Sequence, residues 1–109
     1  MTVGYCTYAR KNRPDCAEEL AEQERKLLAF AEREGYEVTE KYSEIAPGWP
    51  DGVQPVLDSL IQDVAAGKFA GVIATRVNAI TRSDITGESL AEALNNSGAE
   101  LIIIDDKEE

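Results

Sequence analysis

Histidine is absent, cysteine occurs only at Cys6 and Cys16, and the chain holds a single methionine and a single tryptophan. Zinc sites draw on closely spaced cysteine and histidine, so this composition argues against a structural zinc, and no metal is expected. Two isolated thiols read as small buried apolar residues, with no geometry or compartment that calls for a disulfide. Basic residues are scarce as well. Lys and Arg number 11 against 21 Asp and Glu, a net charge of -10. Nucleic-acid binders usually show the opposite sign, because phosphate neutralisation supplies most of their affinity. The deficit counts against autonomous DNA binding and leaves room only for a local basic spot. No apolar run reaches the length of a membrane span, and no N-terminal stretch reads as a secretion signal; a cytoplasmic protein is expected.

What is present fits one compact domain over residues 1–109, without repeats or linkers. Thr2 to Tyr8 is β-branched and aromatic, with no helical period, and predicts a strand covered on both faces. Asn12-Arg13-Pro14-Asp15 predicts a turn into a helix that ends near Glu34, with Gly35 as its stop. Cys16, Leu20, Leu27 and Ala31 form its inner stripe, with Gln23 and Leu28 at the margins. Tyr36 to Tyr42 alternates apolar and polar, as a strand near an edge does. Ser43 to Gly52 is a loop carrying Trp49, expected to cover the core's edge. Val53, Val56, Leu57, Leu60, Ile61 and Val64 recur at three and four residues and define a second helix. A buried strand over Phe69 to Thr75, a loop over Arg76 to Ser83, a helix over Asp84 to Asn96 and a strand at Leu101-Ile102-Ile103-Ile104 follow. Asp105 to Glu109 is an acidic tail.

Strands alternating with helices imply an α/β fold: a three-layer α/β/α sandwich on a mostly parallel four-stranded sheet, in flavodoxin-like order. Chemistry in such sheets gathers at the carboxyl ends of the strands. Those ends fall at Tyr8 to Arg13, Ser43 to Gly48, Arg76 to Arg82 and Asp105-Asp106. The first turn, Ala9-Arg10-Lys11-Asn12, lacks the glycines of a dinucleotide or P-loop site. The first and third strand ends lack the carboxylates of a phospho-acceptor domain. Asp105 and Asp106 are adjacent and would face opposite sides of a strand. No general catalytic constellation and no cofactor site survive this elimination.

Several ordered motifs carry a resemblance. Gln23-x3-Leu27-x3-Ala31-x3-Gly35-Tyr36-Glu37-Val38, Tyr42-Ser43-Glu44 before Pro47-Gly48, Gln54-Pro55-x-Leu57, Gly67-Lys68-Phe69 before Val72-Ile73, and Val77-Asn78-Ala79-Ile80-Thr81-Arg82 follow one another at fitting distances. In order and spacing the chain resembles the N-terminal catalytic domain of serine recombinases, the resolvase/invertase family. That resemblance implies phosphoryl transfer by a serine that attacks a DNA phosphodiester and leaves a phosphoserine link, with arginines neutralising the phosphate.

Laid on the family pattern Tyr-x-Arg-x-Ser, the chain reads Tyr5-Cys6-Thr7-Tyr8-Ala9, which puts Thr7 at the arginine and Ala9 at the nucleophile. The loop acid becomes Glu44, the arginine before the helical proline becomes Gln54, and the Asp-Arg pair becomes Asn78-Ala79; Arg82 alone is retained. A slip in this register would bring Arg10 to the site, still without a serine. The expectation is a catalytically inactive recombinase-like domain, a pseudoenzyme serving as an interaction or regulatory module or as a mobile-element remnant. Its partners would be DNA or another recombinase subunit, with a homodimer open and no membrane contact. Arg10, Lys11, Arg13 and Arg82 are the candidate anion- or DNA-binding residues. The resemblance also implies that the family's long helix and DNA-binding domain are not within residues 1–109. Two alternatives stand beside this: an active serine recombinase domain, and a small-molecule-binding flavodoxin-like protein.

Overall fold

The computed structural model describes residues 4–11, 13–45, 55–79, 82 and 87–104. Four parallel strands carry the chain: β1 (Tyr5–Lys11), β2 (Val38–Ile45), β3 (Gly71–Thr75) and β4 (Glu100–Ile104), in the spatial order β2-β1-β3-β4. Helix α1 (Ala17–Glu34) follows a 3₁₀ turn at Pro14–Cys16; α2 (Pro55–Ala65), the short α3 (Arg76–Ala79) and α4 (Leu90–Ser97) complete it. The α/β sandwich on a parallel sheet is therefore the architecture that the alternation of elements predicted.

Each helix begins and ends for local reasons. Glu18 and Glu19 lie in the first turn of α1, at the positive end of its dipole. Gly35 closes it at φ +83°, a left-handed turn that lets Tyr36 N donate to Ala31 O at 2.8 Å. Ser89 and Glu92 form a reciprocal capping box on α4: Glu92 N donates to Ser89 Oγ at 3.2 Å, and Ser89 N to Glu92 Oε1 at 3.0 Å.

The sheet separates two cores. On one face Ala9 and Ile73 meet Leu27 and Ala31 of α1. On the other, Cys6, Tyr8, Val72 and Ala74 pack under Leu57, Leu60, Ile61 and Val64 of α2 and Leu90, Ala93 and Leu94 of α4. Both cysteines are buried and free, as expected.

Several boundaries differ from the sequence reading. β1 runs on through Arg10 and Lys11 instead of turning after Tyr8, because β2 also extends and pairs with it as far as Lys11–Ile45. Residues 76–79 are a helical turn rather than loop. The last helix starts at Leu90, where the capping box sets it, rather than at Asp84. Gln23 is not marginal on α1: it joins Leu27 and Ala31 in the buried stripe at four-residue spacing, whereas Leu20 and Leu28 are only half-buried. The expected Trp49 cover, Ile85 and the acidic tail lie outside the described residues.

Candidate functional site at the carboxyl edge of the sheet

Strand alternation sends Tyr8 and Arg10 to one face of β1 and Thr7 and Ala9 to the other. The packing agrees: Tyr8 belongs to the core under α2 and α4, and Ala9 to the core under α1. This division decides what can meet at the strand ends.

On the Tyr8 face the central group is the Glu44 carboxylate, 8% exposed at the end of β2. Its Oε2 accepts from Tyr8 Oη at 2.5 Å and from Leu57 N at 3.1 Å, and its Oε1 accepts from Val56 N at 3.1 Å. Val56 and Leu57 open α2, so Glu44 supplies from a neighbouring strand the acceptor that a helix N-terminus needs. Arg10 follows Tyr8 on the same face and is also only 8% exposed.

A second knot ties β1 to the end of β3. Gln23 Oε1 accepts from Arg10 N at 3.0 Å and from Asn78 Nδ2 at 2.9 Å, with Gln23 5% and Asn78 2% exposed. One amide oxygen on α1 thus fixes the backbone at Arg10 and the side chain that follows β3. From sequence, Gln23 stands in a motif and at the margin of the helical stripe. Its position four residues before Leu27 was the signal that it faces inward.

The other candidate residues distribute as follows. Thr7 and Ala9 are fully buried, and the Thr7 hydroxyl has no hydrogen-bond partner among the described residues. Ala79 is 1% exposed. Lys11 is half-buried at the end of β1. Arg13 stands 70% exposed and pairs with Asp15 at 3.4 Å. Arg82 donates to Gly87 O at 2.7 Å, lies 3.9 Å from Glu92 and bridges to Ser89 through its backbone. Gln54 lies outside the described residues. The structure therefore joins the Arg10 backbone, Gln23 and Asn78 at α1, the helix against which Ala9 packs, and joins Tyr8 of β1 to Glu44 of β2 on the opposite face of the sheet.

Elsewhere, burial and the bond from Tyr42 Oη to Asp63 Oδ2 at 2.5 Å push the Tyr42 phenol well above its ordinary range. Burial likewise raises the Cys6 thiol, leaving it protonated and unreactive.

The fold has close parallels among solved structures. The chain is similar to the C-terminal catalytic domain of ISC1926 TnpA, an IS607-like serine recombinase, with a TM-score of 0.78 and 24% identity over 96% of this chain and 71% of that one. It is similar to a resolvase family site-specific recombinase from Streptococcus pneumoniae, with a TM-score of 0.72 and 19% identity over 99% and 78% of the two chains. A serine recombinase from Sulfolobus solfataricus superposes with a TM-score of 0.67 and 16% identity over 95% and 71%. No curated protein matches the sequence. At these identities the superpositions speak for the fold alone. The family model for the resolvase N-terminal domain matches residues 5–109, which takes in all four strands, the Tyr8–Glu44 bond and the Gln23 knot; the chain belongs to the resolvase N-terminal domain family.

Proposed function

We propose that this domain keeps the resolvase scaffold and does not cut DNA. The observation that carries the reading is the division of β1 into two faces. With Thr7 and Ala9 under α1, the Tyr-x-Arg-x-Ser pattern fits Tyr8-Ala9-Arg10-Lys11-Asn12 better, since Tyr8 and Arg10 share the face on which Glu44 closes the start of α2. In that register the arginine is retained as Arg10 and the nucleophile position is Asn12; in the first register it is Ala9. Neither side chain bears a hydroxyl, and neither a methyl nor a carboxamide attacks phosphorus as serine does. Gln54 and Asn78-Ala79 add to the deficit, because each lost donor of a phosphate site removes transition-state stabilisation.

What remains suits recognition. Arg10 is the anion-binding candidate that the fold best supports. Arg82 is the second, Lys11 follows Arg10 on the strand and so faces the other side, and Arg13 is engaged by Asp15. DNA or another recombinase subunit is the partner class, and an interaction or regulatory role follows. Incubation with a nicked suicide DNA substrate, followed by denaturing electrophoresis and mass spectrometry, tests the reading. No covalent protein–DNA adduct is expected. A phosphoserine or phosphothreonine adduct refutes it.

A further inference from the structure

β1 outlasts one of its two neighbours. It pairs with β3 only as far as Tyr8–Ala74, whereas its pairing with β2 continues to Lys11–Ile45. β3 ends at Thr75, and the chain turns into α3 at Arg76. The Arg10 amide therefore lies past the last β3 partner. A buried backbone N–H needs an acceptor, and Gln23 Oε1 supplies one from α1 at 3.0 Å.

That bond settles the orientation of two side-chain amides. A backbone N–H only donates, so the Gln23 atom facing it is the oxygen. The Asn78 atom 2.9 Å from this oxygen must in turn be a donor, which is Nδ2. Gln23 is 5% and Asn78 2% exposed, so bulk water does not replace a lost partner. An ionised carboxylate at position 78 would have no donor to offer. It would draw the Gln23 Nε2 donor toward itself, and Nε2 cannot accept from Arg10 N.

We infer that Asn78 is a positioning residue for Arg10, acting through Gln23. Its amide donor keeps the Gln23 oxygen turned to Arg10 N, and β1 stays extended to its end. The Arg10 side chain leaves the strand on the opposite face from α1, so the relay sets the backbone from which the guanidinium projects. Its service to anion recognition rests on the reading of Arg10 as an anion-binding residue; the relay itself rests on the two bonds.

The test compares Asn78→Asp, which keeps the shape and removes the donor, with Asn78→Ala, which removes the shape and adds no charge. Hydrogen exchange of the intact isotope-labelled chains is read at about pH 8, above the ordinary carboxyl range, and set against global stability from urea unfolding. N78D is expected to lower protection of the Arg10 amide about tenfold beyond the global change. N78A leaves the Gln23 oxygen free to keep Arg10 N, and its Arg10 protection is expected to fall only with the global change. A side chain needed for packing alone gives the reverse order. In the parent, the Arg10 amide proton and an Asn78 Nδ2 proton converge on one oxygen, so a cross-relaxation peak between them is expected whatever the variants do. Sodium sulfate, against sodium chloride at equal ionic strength, is expected to shift the Arg10 amide of the parent and to do so more weakly in N78D. An absent cross-relaxation peak overturns the inference. So does Arg10 protection that follows the global change in N78D, or that falls as far in N78A. A selective loss in N78D with no sulfate response in the parent supports the relay and overturns the anion reading of Arg10.

Discussion

Glu44 accepts the Tyr8 hydroxyl at 2.5 Å while its two oxygens hold the first free amides of α2. One carboxylate thereby joins the central strand, an edge strand and a helix start. Charge-assisted hydrogen bonds of this kind are worth about 1.5–3 kcal/mol, and a buried donor left unsatisfied costs about 1–3 kcal/mol. Glu44→Ala removes at once the acceptor of the Tyr8 bond and of two helix amides, and is expected to destabilise the fold by about 3 kcal/mol or more. Tyr8→Phe leaves Glu44 its two amides and is expected to cost about 1–2 kcal/mol. Urea unfolding of both variants checks the order.

Gln23 holds Arg10 N and Asn78 Nδ2 through one oxygen. Gln23→Met conserves volume and removes that acceptor, leaving two buried donors; a loss of about 2–4 kcal/mol is expected. Hydrogen exchange at the Arg10 amide is expected to accelerate beyond the global change, which a purely global loss of packing would not produce.

Ala9→Ser restores a serine at the position first matched to the nucleophile. Ala9 is fully buried against α1, so the hydroxyl enters an apolar core. It is expected to cost about 1–3 kcal/mol and to yield no covalent adduct with a suicide DNA substrate. An adduct from this variant would return the nucleophile position to residue 9.

Gly71 permits a close approach. A Cβ there would lie 2.5 Å from Glu100 O and 2.7 Å from the Tyr5 ring. Gly71→Ala is expected to cost about 2–3 kcal/mol, as overpacking between strands does, and to disturb the Tyr5–Glu100 bond. Thermal unfolding with tyrosine fluorescence reads both effects.

Alkaline stability follows from Tyr42. Burial, then the bond to Asp63, raises its phenol above the ordinary value of 10.0. The folded state therefore holds this proton more tightly than the unfolded chain. Its contribution is complete below pH 10.0 and is lost as pH rises beyond that, while the unfolded phenol ionises first. Cys6, raised by burial from 9.0, adds a loss that begins about one pH unit lower. Tyr42→Phe is expected to be less stable than the parent near neutrality and to lose part of the decline between about pH 10 and pH 11.5, measured by urea midpoints across that range.

The sequence by itself determined the class of fold. The three- and four-residue recurrence in α2, the apolar runs of β3 and β4, and glycine stops such as Gly35 are local signals, and local physics obeys them. It also determined that no serine stands at either match to the nucleophile, since Ala9 and Asn12 are read directly. Strand ends were less legible, because Arg10 and Lys11 are extended only through their pairing with β2. Only the tertiary structure decided which side chains share a site. Two-residue alternation says that Thr7 and Ala9 oppose Tyr8 and Arg10, but not which helix covers each face. That depended on α1 covering one face of β1, and on Glu44 and Gln23 reaching Tyr8 and Arg10 from 36 and 13 residues away in sequence.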